Sequence, residues 1–108
     1  MTVIPAVNAR DIGQTFAETV RGEPAVRQLC VRPYPGGVEL WLVTAPIDPD
    51  KELALHAASR LLYERFPDAE IDVHIINERH YPHLDAARII PTGAKPIPLH
   101  ETGEAAGC

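Results

Sequence analysis

The chain has 108 residues, a net charge of −5 at pH 7 and a hydrophobic content of 45%. This length suits one domain with one core, and the negative charge disfavours nucleic acid as the main partner, because proteins that bind its backbone concentrate Lys and Arg on one face. No apolar run approaches the roughly 20 residues that a membrane helix needs, and the first ten residues lack the pattern of a signal peptide. We therefore expect a cytoplasmic protein that does not associate with membranes.

The first predicted element is a helix over residues 8–21. Ile12, Phe16 and Val20 recur every four residues, and Asn8 precedes them as a suitable N-cap. This spacing predicts one apolar stripe that packs on the rest of the domain.

Two strands are expected next, over residues 26–32 and 38–45, joined by a Pro- and Gly-rich turn at 33–37. Cys30 is expected to be a small core residue of the first of these strands. We expect no disulfide with Cys108, the last residue of the chain.

The longest predicted helix spans residues 48–66. The apolar residues with helical spacing are Leu53, Ala54, Ala57, Ala58, Leu61 and Leu62. His56 is expected to face solvent, away from Leu53, Ala57 and Leu61.

A third strand is expected from residue 71 towards 78, because apolar and polar side chains alternate there. After Tyr81 the pattern weakens, and we expect only a short edge strand at Ile89 and Ile90. The sequence thus predicts a single α+β domain over residues 1–100 with the order αββαβ, a mixed sheet of three or four strands and helices on one face. Residues 101–108 are expected to form a flexible tail.

Strand periodicity predicts that Glu39, Trp41, Asp72 and His74 share one face of the sheet, because successive side chains of a strand alternate between faces. We expect the helices to cover the other, aliphatic face and to leave this mixed face open. A tryptophan in such a place favours a contact surface for a homodimer or a small protein partner. A small-molecule or metal site and a plain solvated surface are the alternatives.

The order of elements, with a glycine turn between an apolar strand and an acidic strand, resembles the minimal nucleotidyltransferase domains often found beside antitoxin partners. Gly36 and Gly37 fall at the family's Gly-Ser turn, Glu39 falls at its second carboxylate and Asp72 at its third. The segment 88–97 is similar to the family's closing stretch. The resemblance implies a nucleotidyltransferase-like fold with Glu39 and Asp72 as the candidate catalytic residues.

Two departures from the family pattern bear on activity. Gly37 stands where the first of the paired carboxylates would be, and the turn has no serine. Because several carboxylates must converge on magnesium to transfer a nucleotidyl group, we expect a catalytically degenerate binding or assembly module that is not an enzyme and needs no cofactor. An active Mg-dependent nucleotidyltransferase is the alternative.

A further alternative is a metal-binding accessory domain. Glu78, His80 and His83 are residue types that bind transition metals, and they lie close together in the sequence after the third strand.

Overall fold

The computed structural model describes residues 9–97 and residue 99, with the backbone alone at residues 86 and 87. Its elements are α1 (Ala9–Val20), β1 (Val26–Tyr34), β2 (Gly37–Thr44), α2 (Pro49–Ala58), α3 (Arg60–Arg65), β3 (Glu70–Asn77), two short 3₁₀ turns (Glu78–His80 and Ala86–Ile89) and β4 (Lys95–Pro96). The predicted α+β class, the mixed sheet and the core order αββαβ are confirmed. The predicted N-cap Asn8 and the predicted tail at 101–108 lie outside the described residues.

The four strands form one sheet in the order β3-β2-β1-β4. β1 runs antiparallel to both β2 and β4, whereas β2 and β3 are parallel. A parallel pair needs a long crossover connection, and α2 with α3 supplies it. β3 and β4 are therefore the two edges of the sheet.

The hairpin between β1 and β2 is tighter than the sequence indicates, because Tyr34 pairs with Gly37 across only Pro35 and Gly36. Gly36 has a φ of 85°, which favours glycine. At Gly37 a Cβ atom would lie 2.2 Å from the backbone oxygen of Glu70 on β3. The two positions therefore need glycine for different reasons. Gly36 has a positive φ, and Gly37 lies where two strands approach each other closely.

The main core lies between the helices and one face of the sheet, as the strand periodicity predicts. Val38, Leu40 and Leu42 of β2 are fully buried there, against Ile12 and Phe16 of α1. Full burial of a side chain of this kind contributes about 1.5–3 kcal/mol.

The predicted apolar side of the second helix is wrong for Leu53 and right for Leu62. The helix is interrupted at Ser59, and Leu55 and Leu62 are the residues that face the core, whereas Leu53 is 68% exposed. This helical segment has apolar residues on more than one side, so their spacing alone does not predict which side is buried. His56 is exposed, as predicted.

The mixed face is only partly open, which corrects a second expectation. Near the end of β2 a small apolar cluster forms on this face, and the segment after β3 covers it; its buried members are Cys30, Val43, Ile76, Ile90 and Ala94. The predicted edge strand at Ile89 and Ile90 is wrong for the same reason, since Ile90 packs against the sheet face and the edge strand is Lys95–Pro96.

Two further features of the described residues bear on the expectations. Cys30 is buried as predicted, but it is disulfide-bonded, so the expectation of a chain without a disulfide is wrong. Cys108 lies outside the described residues. Within residues 9–97, no helix has the length and apolar character needed to cross a membrane.

Candidate functional site

The register of the three long strands brings the predicted face residues together. Glu39 on β2 lies between Arg32 on β1 and Asp72 on β3. In the next row Trp41 lies beside His74 on β3. We call the surface made by Arg32, Glu39, Trp41, Asp72 and His74 the mixed-face patch.

The carboxylate of Glu39 is the centre of this patch. Arg32 donates from Nε to Oε1 over 2.9 Å, and its Nη2 contacts the same oxygen. The other oxygen, Oε2, lies 3.4 Å from Nε2 of His74, at an angle outside hydrogen-bond geometry. The Glu39 side chain is only 16% exposed and that of Arg32 is 41% exposed, so the two charges form a partly shielded pair.

Trp41 and His74 form the aromatic part of the patch. Their ring centroids are 4.0 Å apart and their planes differ by 17°, which is a stacked arrangement. The indole Nε1 of Trp41 is buried and has no hydrogen-bond partner among the described residues. The stack holds the imidazole over β2, on the same side as the Glu39 carboxylate.

Tyr34 lies at the acidic margin of the patch, where its hydroxyl donates to Oδ2 of Asp72 over 3.4 Å. Desolvation raises the pKa of the Tyr34 phenol, and the negative charges of Asp72 and Glu70 raise it further. Tyr34 is therefore held as a neutral hydrogen-bond donor beside two carboxylates.

The structure does not bring the predicted metal ligands together. Glu78 pairs with Arg27 at 3.1 Å, and His80 lies 3.2 Å from Glu52 on α2. His83 is exposed in the loop that follows. Across residues 9–97, no group of three or more His, Cys, Asp or Glu side chains is placed to hold a metal ion.

Two surface cavities lie away from the patch. One, of about 300 Å³, is lined by residues such as Thr19, Lys51 and Leu55 between α1 and α2. The other, of about 370 Å³, is lined by residues such as Arg10 and Lys95 beside the start of α1. Neither cavity includes the predicted face residues.

Sequence reasoning missed Arg32 and Tyr34, although a signal was present. The two residues alternate along β1 with Leu29 and Val31 of the core, so strand periodicity assigns them to the mixed face. A two-residue turn would also have paired Arg32 with Glu39, but the predicted five-residue turn hid this register.

Comparisons with family models, curated proteins and solved structures found no match to this chain.

Proposed function

We propose that this chain is a non-catalytic binding and assembly module, a degenerate form of the minimal nucleotidyltransferase domain. The observation that carries the proposal is the packing at Gly37, where the resemblance would put the first of two paired carboxylates. A Cβ atom there would lie 2.2 Å from the backbone oxygen of Glu70 and 2.8 Å from the Tyr34 ring and hydroxyl. No side chain fits in that space, so the fold has no room for this carboxylate.

The pairing of Glu39 supports the same proposal. Its Oε1 is taken by Arg32 and its Oε2 faces His74. Nucleotidyl transfer needs carboxylates that are free to bind magnesium, and a guanidinium in contact with one of them opposes a divalent cation. Glu39 therefore acts as a structural partner of Arg32.

The composition of the patch supports binding of a protein surface. Tryptophan and arginine are enriched where protein surfaces meet, and Trp41 and Arg32 are both half-buried on this face. The partner class that fits is a second copy of the chain or another small protein.

The test is a titration of magnesium with each nucleoside triphosphate, followed by the fluorescence of Trp41 and by calorimetry. Trp41 is the only tryptophan of the chain and lies two residues from Glu39 on the same face of β2, so its emission reports on the patch. We expect no saturable change with any nucleotide. A saturable change that Asp72→Ala abolishes would overturn the proposal.

An active magnesium-dependent nucleotidyltransferase is the second candidate, and one observation favours it. Glu39 and Asp72 are direct register partners on parallel strands, so their side chains leave the sheet on the same face. This candidate requires Arg32 to release Glu39 when magnesium binds. Arg32→Met should then strengthen magnesium-dependent nucleotide binding, whereas the module we propose should show none with or without Arg32.

A further inference from the structure

The two edges of the sheet differ in how they are protected. β4 is an edge of only two residues, and those residues are Lys95 and Pro96. β3 is an edge of eight residues, Glu70–Asn77, and contains no lysine, arginine, proline or glycine. Short edges, lysine and proline are among the means by which monomeric proteins prevent strand pairing, and β3 has none of these three.

The hydrogen-bonding groups of β3 alternate between its two sides. Glu70 donates its N–H to the Gly36 oxygen over 3.2 Å, towards β2. In a parallel ladder alternate residues face the same neighbour, so Ile71, Val73 and Ile75 direct their N–H and C=O groups away from β2. Among the described residues, β3 pairs with no strand other than β2.

We propose that β3 pairs antiparallel with β3 of a second copy of this chain, centred on Val73, so that two four-stranded sheets become one of eight strands. This inference rests on the proposed assembly function and names its partner. Outward groups can satisfy each other only when outward residues stand opposite outward residues. The two-fold axis must therefore pass through a residue and not between two residues. The residues near the middle of β3 are Asp72, Val73 and His74.

The side chains that would face each other distinguish these three registers. An axis at Asp72 would put two aspartates opposite each other, and an axis at His74 would put two histidines opposite each other. An axis at Val73 puts Asp72 opposite His74 of the partner subunit, and this pair occurs twice. On the helix side the same register puts Ile71 opposite Ile75 of the partner subunit. An axis at Asp72 would also put Glu70 opposite His74 of the partner subunit, but it keeps the two aspartates opposite each other at its centre. The Val73 register is the one of the three that pairs acid with histidine on the mixed face and puts no two like polar side chains opposite each other.

The apolar surface along this edge also favours pairing. Val73 and Ile75 are half-buried, and Tyr63, which is 45% exposed, donates its hydroxyl to the Ile71 oxygen over 2.9 Å. A carbonyl oxygen has two lone pairs, so Ile71 can keep this bond and also accept the N–H of a partner strand. Pairing would remove the two half-buried aliphatic side chains from water.

The first test is disulfide trapping with Val73→Cys under mild oxidation. Opposite residues of a hydrogen-bonded antiparallel pair have Cα atoms about 5.5 Å apart, within the range that a disulfide spans. Glu70→Cys is the matched control on the same strand, because the two copies of residue 70 would lie about 20 Å apart at roughly 3.3 Å per residue. We expect a covalent dimer, reversed by reductant, from Val73→Cys alone, with the parent chain and its native cysteines run in parallel.

The second test is Val73→Pro, followed by light scattering over a concentration series. The Val73 N–H points away from β2, so proline removes the outward bond and leaves the ladder to β2 intact. Two N–H donors are lost per dimer, and we expect the dissociation constant of the dimer to be at least about tenfold higher than that of the parent. Circular dichroism checks that the variant is folded. The disulfide trapping uses a different variant and does not depend on whether Val73→Pro folds.

The outcomes separate this inference from the proposed function. A dimer that Val73→Cys does not trap would overturn the β3 pairing and leave the assembly function in place. A parent chain that stays monomeric at all concentrations would also overturn the pairing, and the nucleotide titration would then decide the proposed function alone. Equal trapping at residues 70 and 73 would contradict the register.

Discussion

Trp41 and His74 are stacked across the parallel pair β2 and β3, with ring centroids 4.0 Å apart. The stack fixes the imidazole where its Nε2 lies 3.4 Å from the Glu39 carboxylate. Glu39 is held from the other side by Arg32, so one carboxylate connects side chains of all three long strands. The patch therefore connects three strands. A substitution at one of its residues should change the environment of the others.

The stack predicts the spectrum of the single tryptophan. His74→Ala should shift Trp41 emission to the red, because the indole loses the ring that covers it, and should lower the free energy of unfolding by about 0.5–1.5 kcal/mol. His74→Phe is the matched variant, since it keeps an aromatic ring and loses the ring nitrogens. We expect its emission to stay near that of the parent. Unchanged emission in His74→Ala would contradict the stacked geometry.

The pair Arg32 and Glu39 should show a measurable coupling energy. Glu39 is well shielded but Arg32 is 41% exposed, so solvent weakens the interaction, and we expect about 0.5–1 kcal/mol. A double-mutant cycle with Arg32→Met and Glu39→Gln, followed by denaturant unfolding, measures it. The control pair is Lys51 with Glu23, which is longer at 3.6 Å. We expect a smaller coupling there, and equal couplings would show that the patch gives Glu39 no special shielding.

Gly37 should tolerate no side chain. Gly37→Ala puts a Cβ atom against the Glu70 backbone oxygen, and overpacking of this kind costs about 1–3 kcal/mol or more. Gly22→Ala is the control, because a Cβ atom there meets nothing within 4 Å. It should change stability by less than about 0.5 kcal/mol. If thermal unfolding shows that Gly37→Ala is neutral, the steric argument against a carboxylate at this position is lost.

Tyr34 should titrate above its ordinary pKa of 10.0. Desolvation raises the pKa of this phenol first, followed by the charges of Asp72 and Glu70. The folded protein then holds the phenol proton more tightly than the unfolded chain does. The contribution of Tyr34 to the free energy of unfolding is therefore fully present below pH 10 and is lost as the pH rises through the raised pKa. Tyrosinate absorbance in a variant with Tyr63→Phe and Tyr81→Phe measures it.

Asp72 supplies the control for this titration. Asp72→Asn removes one negative charge and weakens the hydrogen-bond acceptor, so the pKa of Tyr34 should fall towards its ordinary value. A pKa that does not respond to Asp72→Asn would show that Asp72 does not contribute to the raised pKa of Tyr34.

The sequence by itself determined the class of the fold and the faces of its strands. Val38, Leu40 and Leu42 alternate with Glu39 and Trp41, and this period of two is a local property that needs no knowledge of neighbours. For the same reason the prediction that Glu39, Trp41, Asp72 and His74 leave one side of the sheet could be made in advance, because each strand separates polar from aliphatic side chains.

Only the tertiary structure decided how the strands are paired and what covers them. The parallel register that joins Trp41 to His74 and the close approach that excludes a side chain at Gly37 both depend on which strand lies beside β2. The choice of Leu55 over Leu53 for the core depends in the same way on where α2 meets the sheet. These features are set by contacts between residues distant in sequence, whose packing energies no local pattern of residues encodes.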